Sequence, residues 1–281
     1  MPSSEAGAEP RGSRLTRLVA GSVRRVDPLA FVTPIVVVLV WQAVVSFDLV
    51  DTEYLPTPLE VADATWGWVF GSVDAQPLYN GTWLEHALAS SQRVIYGFAL
   101  GGLSGAAIGC IIGWSRIGSR LLDPFFQILR PIPITAWLPF MVVFFGTKAI
   151  SAIGLIAVGA FFPVMLNTVH GLHHVAPLQL RAAQMLGCTG RLRLLMRVGL
   201  PAALPAIFTG LRLGIGLSWV LVIVAEMVAV KSGFGYVMWD AYYFVRLDVI
   251  VAAMLSVGLM GYLFDRLVVM IERRLCAWTV A

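Results

Sequence analysis

Charge is what this sequence has least of. Of its 281 residues only 13% are Asp, Glu, Lys or Arg, about half the share of an ordinary soluble domain. In contrast, 58% are hydrophobic and the mean hydropathy is +0.82. A soluble globule of this length leaves too many residues facing water to carry that composition. Soluble enzyme, nucleic-acid binder and disordered linker are therefore poor readings. Lysine is rarer still: Lys148 and Lys231 are the only two, and neither follows a glycine. The phosphate-cradling G-x-x-x-x-G-K-[ST] loop is thus absent, and the chain hydrolyses no ATP by a P-loop of its own. The three cysteines, Cys110, Cys188 and Cys276, are odd in number and form no C-x-x-C pair, so they imply neither a disulfide framework nor a zinc site. H-E-x-x-H and G-x-S-x-G are missing too. His170, His173 and His174 have a spacing that suits a metal on one helical face, but no carboxylate lies close in sequence, and they read as a polar helix end. No catalytic residue and no metal site is assigned.

The abundant apolar residues are grouped in runs. About 20 are needed to cross the hydrocarbon core, and six stretches qualify: 29–47, 87–113, 121–145, 150–170, 203–230 and 249–271. A basic segment, 1–28, precedes them with Arg11, Arg14, Arg17, Arg24 and Arg25. Leu29–Phe47 is as long as a span and lacks a small-residue cleavage site, so it reads as an uncleaved first span. With residues 1–28 inside, alternate loops receive Arg116 and Arg120, then Arg181, Arg191, Arg193 and Arg197, then Arg273 and Arg274. The outer loops hold only Lys148, Lys231 and Arg246, with much of the acid. That bias predicts an all-α integral membrane protein of six transmembrane helices with both termini cytoplasmic. GGLSGAAIG (101–109) marks close helix packing.

One long inner segment does not span: GLHHVAPLQLRAAQMLGCTGRLRLLMRVGL (171–200). Pro177 opens a short amphipathic helix that Gly187 stops. Gly190 separates it from a second, basic piece, after which Pro201 and Pro205 open the fifth span. Two such helices either lie on anionic lipid or dock a soluble partner.

RAAQMLG, the basic stretch after it and LPAALPAIFTGLRLG together resemble the EAA loop of ABC-importer permeases. YLPTPLEV (54–61), LLDPFFQILRPIPITAWLPF (121–140), GAFFPVMLNTVHG (159–171), VAEMVAVKSGFGY (224–236) and GYLFDRLVVMIERRL (261–275) resemble the nitrate/sulfonate/taurine/bicarbonate-type branch and stand in the family's order. The resemblance implies a type I ABC-importer permease fold over 29–281, in the inner membrane of a prokaryote. It also implies partners: two ABC ATPase subunits that carry the ATP and magnesium, a second permease copy as a homodimer, and an extracytoplasmic substrate-binding protein. No cofactor is implied on this chain and no nucleic acid. The coupling loop 177–200 contains the helix 177–190 that enters the ATPase, through Pro177, Leu180, Arg181, Ala182, Ala183, Leu186 and Gly187. The cargo implied is a small anion. Two departures stand out: Arg181 replaces the usual Glu, and the interval from Gly187 to Pro201 is one residue longer than usual. An ATP-independent secondary transporter or channel is the alternative; it would place coupling residues at mid-membrane.

Pro131, Pro133 and Pro139 predict a kinked or unwound third span. Irregular backbone at membrane depth either packs in protein or lines a cavity, so Arg130, Pro131, Pro133, Trp137, Pro139 and Glu226 are candidates for the path or its gate. Charges inside spans are costly and usually paired or functional. The expected pairs are Asp265 with Arg130 or Arg212, and Arg93 with Glu226. The stretch 231–247, with its aromatics after a Gly turn, reads as an interfacial half-helix.

Overall fold

A computed structural model describes residues 29–47, 55–71 and 77–276; the expected basic segment 1–28 lies outside them. Helices α1 to α11 are Leu29–Ser46, Pro58–Phe70, Trp83–Trp114, Arg116–Leu129, Leu138–Phe145, Ala149–His173, Pro177–Met185, Arg191–Leu194, Leu200–Ala229, Phe234–Tyr243 and Leu247–Leu275, and no strand occurs among the described residues. The chain divides into two compact units, Met1–Pro58 and Leu59–Ala281. In the first, the Trp41 indole Nε1 donates to the Pro56 carbonyl (3.0 Å). The second unit is described below.

Among the described residues, four helical stretches are long and apolar enough to cross a membrane: α3, α6, the continuous Arg191–Ala229 and α11. The expected span 121–145 is instead two helical pieces, Arg116–Leu129 and Ile134–Phe145, bent by 91°. The reason lies in α4. Arg116, Arg120, Asp123 and Gln127 recur at intervals of four, three and four and form a polar stripe, closed by a Gln127–Asp123 hydrogen bond (3.0 Å). Pro131 and Pro133 then stop the helix before a 3₁₀ turn at Ile134–Trp137. The basic piece 191–199 is likewise not a separate helix. It runs into α9 through a π-turn at Leu195–Gly199, where the wider ring relieves the clash between the Pro201 ring and the carbonyl one turn back.

The centre of this unit is α6, flanked by α3 and α9. On α3, Gly97, Gly101, Gly105 and Gly109 recur every fourth residue and are buried. A Cβ added at Gly101 would stand 2.2 Å from the Ala157 carbonyl oxygen, and one at Gly105 2.6 Å from that of Phe161. Backbone meets backbone there, the small-xxx-small arrangement of membrane helices. Gly101→Ala is expected to destabilise the detergent-solubilised protein by about 1–3 kcal/mol through overpacking. Gly258→Ala, with nothing within 4 Å of its added Cβ, is expected to be neutral or to raise the melting midpoint, since Ala favours the helix. Equal melting midpoints for the two would contradict the packing role.

Helix α2 falls in what the sequence reading treated as an outer loop. Its Trp68 is completely buried and meets Phe234 edge-to-face at 5.8 Å.

Candidate functional site

At one end of the bundle, between α6 and α9, stands α7. Pro177 fixes its first turn, and Ala176 enters in extended conformation. Cys188 N–H donates to the Ala183 carbonyl (2.9 Å) and Leu186 N–H to that of Ala182 (3.1 Å), which closes the helix before Gly187 at φ 84°. Open space surrounds Gly187 and Gly190 (φ 99°), so the left-handed backbone, not crowding, requires glycine there. No α7 side chain is fully buried. Leu178, Met185 and Leu186 are 77%, 88% and 88% exposed; Arg181 and Ala182 are exposed, and Leu180 and Ala183 half-buried.

The segment after α7 is tied firmly to the bundle. The Trp114 indole Nε1 donates to the Arg191 carbonyl, and Arg191 Nη2 donates to the Trp114 carbonyl, both at 3.0 Å. Trp114 is the last residue of α3, so the guanidinium also meets the negative end of that helix. Beneath lies a cluster of Leu172, Ala203 and Ile207, packed by Cys110, Trp114, Leu195, Leu200 and Leu211. The exposed α7 thus packs on the segment 191–199, which is anchored to α3, α6 and α9.

At the opposite end, Arg93 Nη1 lies 2.5 Å from Glu226 Oε1, and Glu226 is completely buried. Ser90 Oγ donates to the same carboxylate (2.8 Å), and so does Gly235 N–H (3.0 Å). Arg93 also donates to the Ser232 carbonyl (2.9 Å) and hydroxyl (2.5 Å). Gly233 N–H meets His86 Nδ1 and Phe234 N–H meets Ser90 Oγ, each at 3.0 Å. The first amides of α10 therefore find acceptors on α3 and α9, and the carboxylate sits at the positive end of α10. A Cβ at Gly233 (φ 101°) would meet Glu226 Oε1 at 2.2 Å, so the loop closes over the pair only with glycine there. The sequence reading named Arg93 and Glu226 but missed His86, Ser90 and the two glycines. The signal was there: 86, 90 and 93 share one helical face.

Around this clamp, Trp83 Nε1 donates to Ser256 Oγ (2.9 Å) and Tyr79 Oη to Asp240 Oδ2 (2.6 Å). Burial, then the Asp240 carboxylate, pushes the Tyr79 phenol well up, so it stays a donor. The Asp248 carboxylate holds Arg246 above its ordinary value. The stretch 231–247 forms α10 only over Phe234–Tyr243. Phe234, Val237 and Ala241 are buried, while Tyr242, Tyr243 and Phe244 are exposed.

Arg212 grips Asp265 through Nε (3.0 Å) and Nη2 (3.3 Å), with both side chains partly exposed. Arg130 continues the polar stripe of α4, is exposed and makes no ion pair with a described residue. Pro131, Pro133 and Pro139 are exposed in the bent segment. Trp137 lines a cavity of about 300 Å³ with Leu100, Ser104, Phe126, Phe161 and Phe162, and its buried indole N–H has no partner among the described residues. The rings of His170 and His174 lie 4.0 Å apart, tilted by 39°. No group of three or more metal-ligating side chains forms among the described residues.

Sequence comparison gives the wider context. The family described as "Binding-protein-dependent transport system inner membrane component" matches residues 105–276. The chain is 36% identical over 248 residues to the putative aliphatic sulfonates transport permease protein SsuC of Escherichia coli, covering 88% of this chain and 90% of that protein. It is 33% identical over 277 residues to the nitrate import permease protein NrtB of a Synechocystis species, covering 97% of each. It is also 32% identical over 250 residues to the taurine transport system permease protein TauC of Escherichia coli, covering 89% of each.

Proposed function

We propose, from the premise that this chain belongs to the family of binding-protein-dependent transport system inner membrane components, that it is the permease subunit of an ATP-driven importer. Its cargo is a small anion of the nitrate, bicarbonate, taurine or other sulfonate class, taken from a binding protein outside and released into the cytoplasm of a prokaryote. The chain crosses the inner membrane six times with both termini inside. It works as a homodimer on two ATPase subunits, which hold ATP and magnesium.

The observation that carries this reading is α7: a short helix with exposed large apolar side chains, packed on the segment 191–199 that is itself anchored to the bundle. A chain with no P-loop takes its work from a partner, and α7 is where a partner's rigid-body motion enters. ATP binding then favours one of two global states by differential affinity. Arg212–Asp265 and Arg93–Glu226 act as clamps that hold helices through that motion. The bent segment around Pro131, Pro133, Trp137 and Pro139 borders the path.

The test is copurification. The tagged chain, expressed with an ABC ATPase and a binding protein from its own organism, is expected to yield a complex with two ATPase subunits per two permeases. A folded, tagged chain recovered without ATPase from membranes that contain it would overturn the reading.

A further inference from the structure

Of the chain's four histidines, His170, His173 and His174 are exposed. His86, at the other end of the bundle, is only 5% exposed. Gly233 N–H donates to its Nδ1 at 3.0 Å. A backbone amide can only donate, so Nδ1 is bare, and the ring is neutral with its proton on Nε2. Gly233 is the N-cap of α10, and the next two amides are held in the same way, Phe234 N–H by Ser90 Oγ and Gly235 N–H by Glu226. Of these three acceptors, the hydroxyl does not titrate near neutrality and the carboxylate is matched by Arg93. The imidazole is the one whose charge changes between about pH 5 and 8.

A proton on Nδ1 undoes this contact. It sets donor against donor at the Gly233 amide and places a cation at the positive end of α10. Arg93, a second cation on the same face of α3, acts on the ring as well. Glu85 opposes them, but it is exposed, and water and salt screen it. The remaining charges nearby are engaged or face solvent. Helix α2 sets Trp68 against the ring, with centroids 6.3 Å apart, while its carboxylates Glu60 and Asp63 are exposed. Lys231 is exposed too. Asp240 on α10 accepts from Tyr79, Glu226 on α9 holds Arg93, and Arg246 pairs with Asp248.

We infer that His86 is an acid-sensitive latch: a proton on Nδ1 frees the first turn of α10 from α3 and loosens the glycine loop over Arg93 and Glu226. Once open, the ring takes its proton at about pH 6.5; latched, it excludes it. Below that value the open state binds more protons than the latched one, so acid favours opening, and the latch holds above it. In the proposed orientation this end faces outside, so the proton is that of the external medium; that clause alone rests on the proposed function.

The test uses the full-length chain in phosphatidylcholine nanodiscs. Both faces meet one buffer there, so the result depends on neither orientation nor transport. Replacing the exposed His170, His173 and His174 with asparagine leaves His86 as the single histidine, and nitrogen-15 NMR of labelled histidine reads its protonation directly. A neutral ring with a bare Nδ1 is expected at pH 7.5. Hydrogen exchange of the Gly233 and Phe234 amides, corrected for the intrinsic effect of pH, is expected to rise about tenfold between pH 7.5 and 5.5. In His86→Asn, whose side-chain oxygen accepts without titrating, that rise is expected to vanish. The first two measurements decide the matter even where this variant does not fold. An imidazolium at pH 7.5, flat exchange in the native chain, or the same rise in His86→Asn overturns the latch. ATP-driven uptake at pH 7.5 reports separately on the importer reading, which survives that outcome.

Discussion

Replacing Leu178 and Leu186 with serine is expected to disconnect the chain from its ATPase without unfolding it. Both side chains are more than three-quarters exposed, so the isolated chain loses no packing. In a partner's groove each contributes about 1.5–3 kcal/mol, and losing both weakens association by at least about 100-fold. The measurements are copurification of the ATPase and the melting midpoint of the permease. The expected result is loss of the first with the second unchanged. A fall in both would mean that α7 serves internal packing. Arg181→Glu addresses the departure in the loop. If the partner presents a carboxylate to Arg181, the reversal weakens association further, and an acid-to-base change on the partner restores it.

The second large effect is expected at the opposite end. Glu226→Gln leaves the Arg93 guanidinium in a site 7% exposed without its counter-charge, which costs about 3–5 kcal/mol. At this chain length that lowers the melting midpoint by roughly 10 °C. The paired replacement Arg93→Met with Glu226→Met removes both charges and is expected to recover at least half of the loss. Arg212→Gln, at a pair that is partly exposed, is expected to shift the midpoint much less. If Glu226→Gln were as mild as Arg212→Gln, the clamp would not be a structural element.

Much of this was readable before the structure, for identifiable physical reasons. The small-residue run GGLSGAAIG (101–109) marks close helix packing, and α3 and α6 meet there backbone to backbone. Pro177 and Gly187 bracket α7 because each restricts or permits backbone angles by itself. The misreadings have separate physical causes. The segment 121–145 breaks where Pro131 and Pro133 predict, but the polar stripe from Arg116 to Gln127 and on to Arg130 was not read, and it removes Arg130 as a partner for Asp265. The turn at Leu195–Gly199 was hidden because a proline reads as a helix start unless a wider turn accommodates it. Helix α2 was missed because Trp68 finds its partners, His86 and Phe234, far along the chain. The α10 clamp was half legible: charge pointed to Arg93 and Glu226, and the helical face that His86 and Ser90 share with Arg93 marked them too, but their partners, the amides of Gly233 and Phe234, depend on a tertiary approach.

The central claim is that this chain moves solute only when an ATPase works through α7. The direct measurement is uptake of labelled nitrate, bicarbonate and taurine into proteoliposomes. The vesicles carry the chain alone or the chain with its ATPase, with binding protein outside and ATP inside or absent. The account predicts accumulation of one of these anions only when ATPase, binding protein and ATP are all present, and its loss with the Leu178→Ser, Leu186→Ser variant. Uptake by the chain alone without ATP would contradict it and would make the chain a secondary transporter or channel.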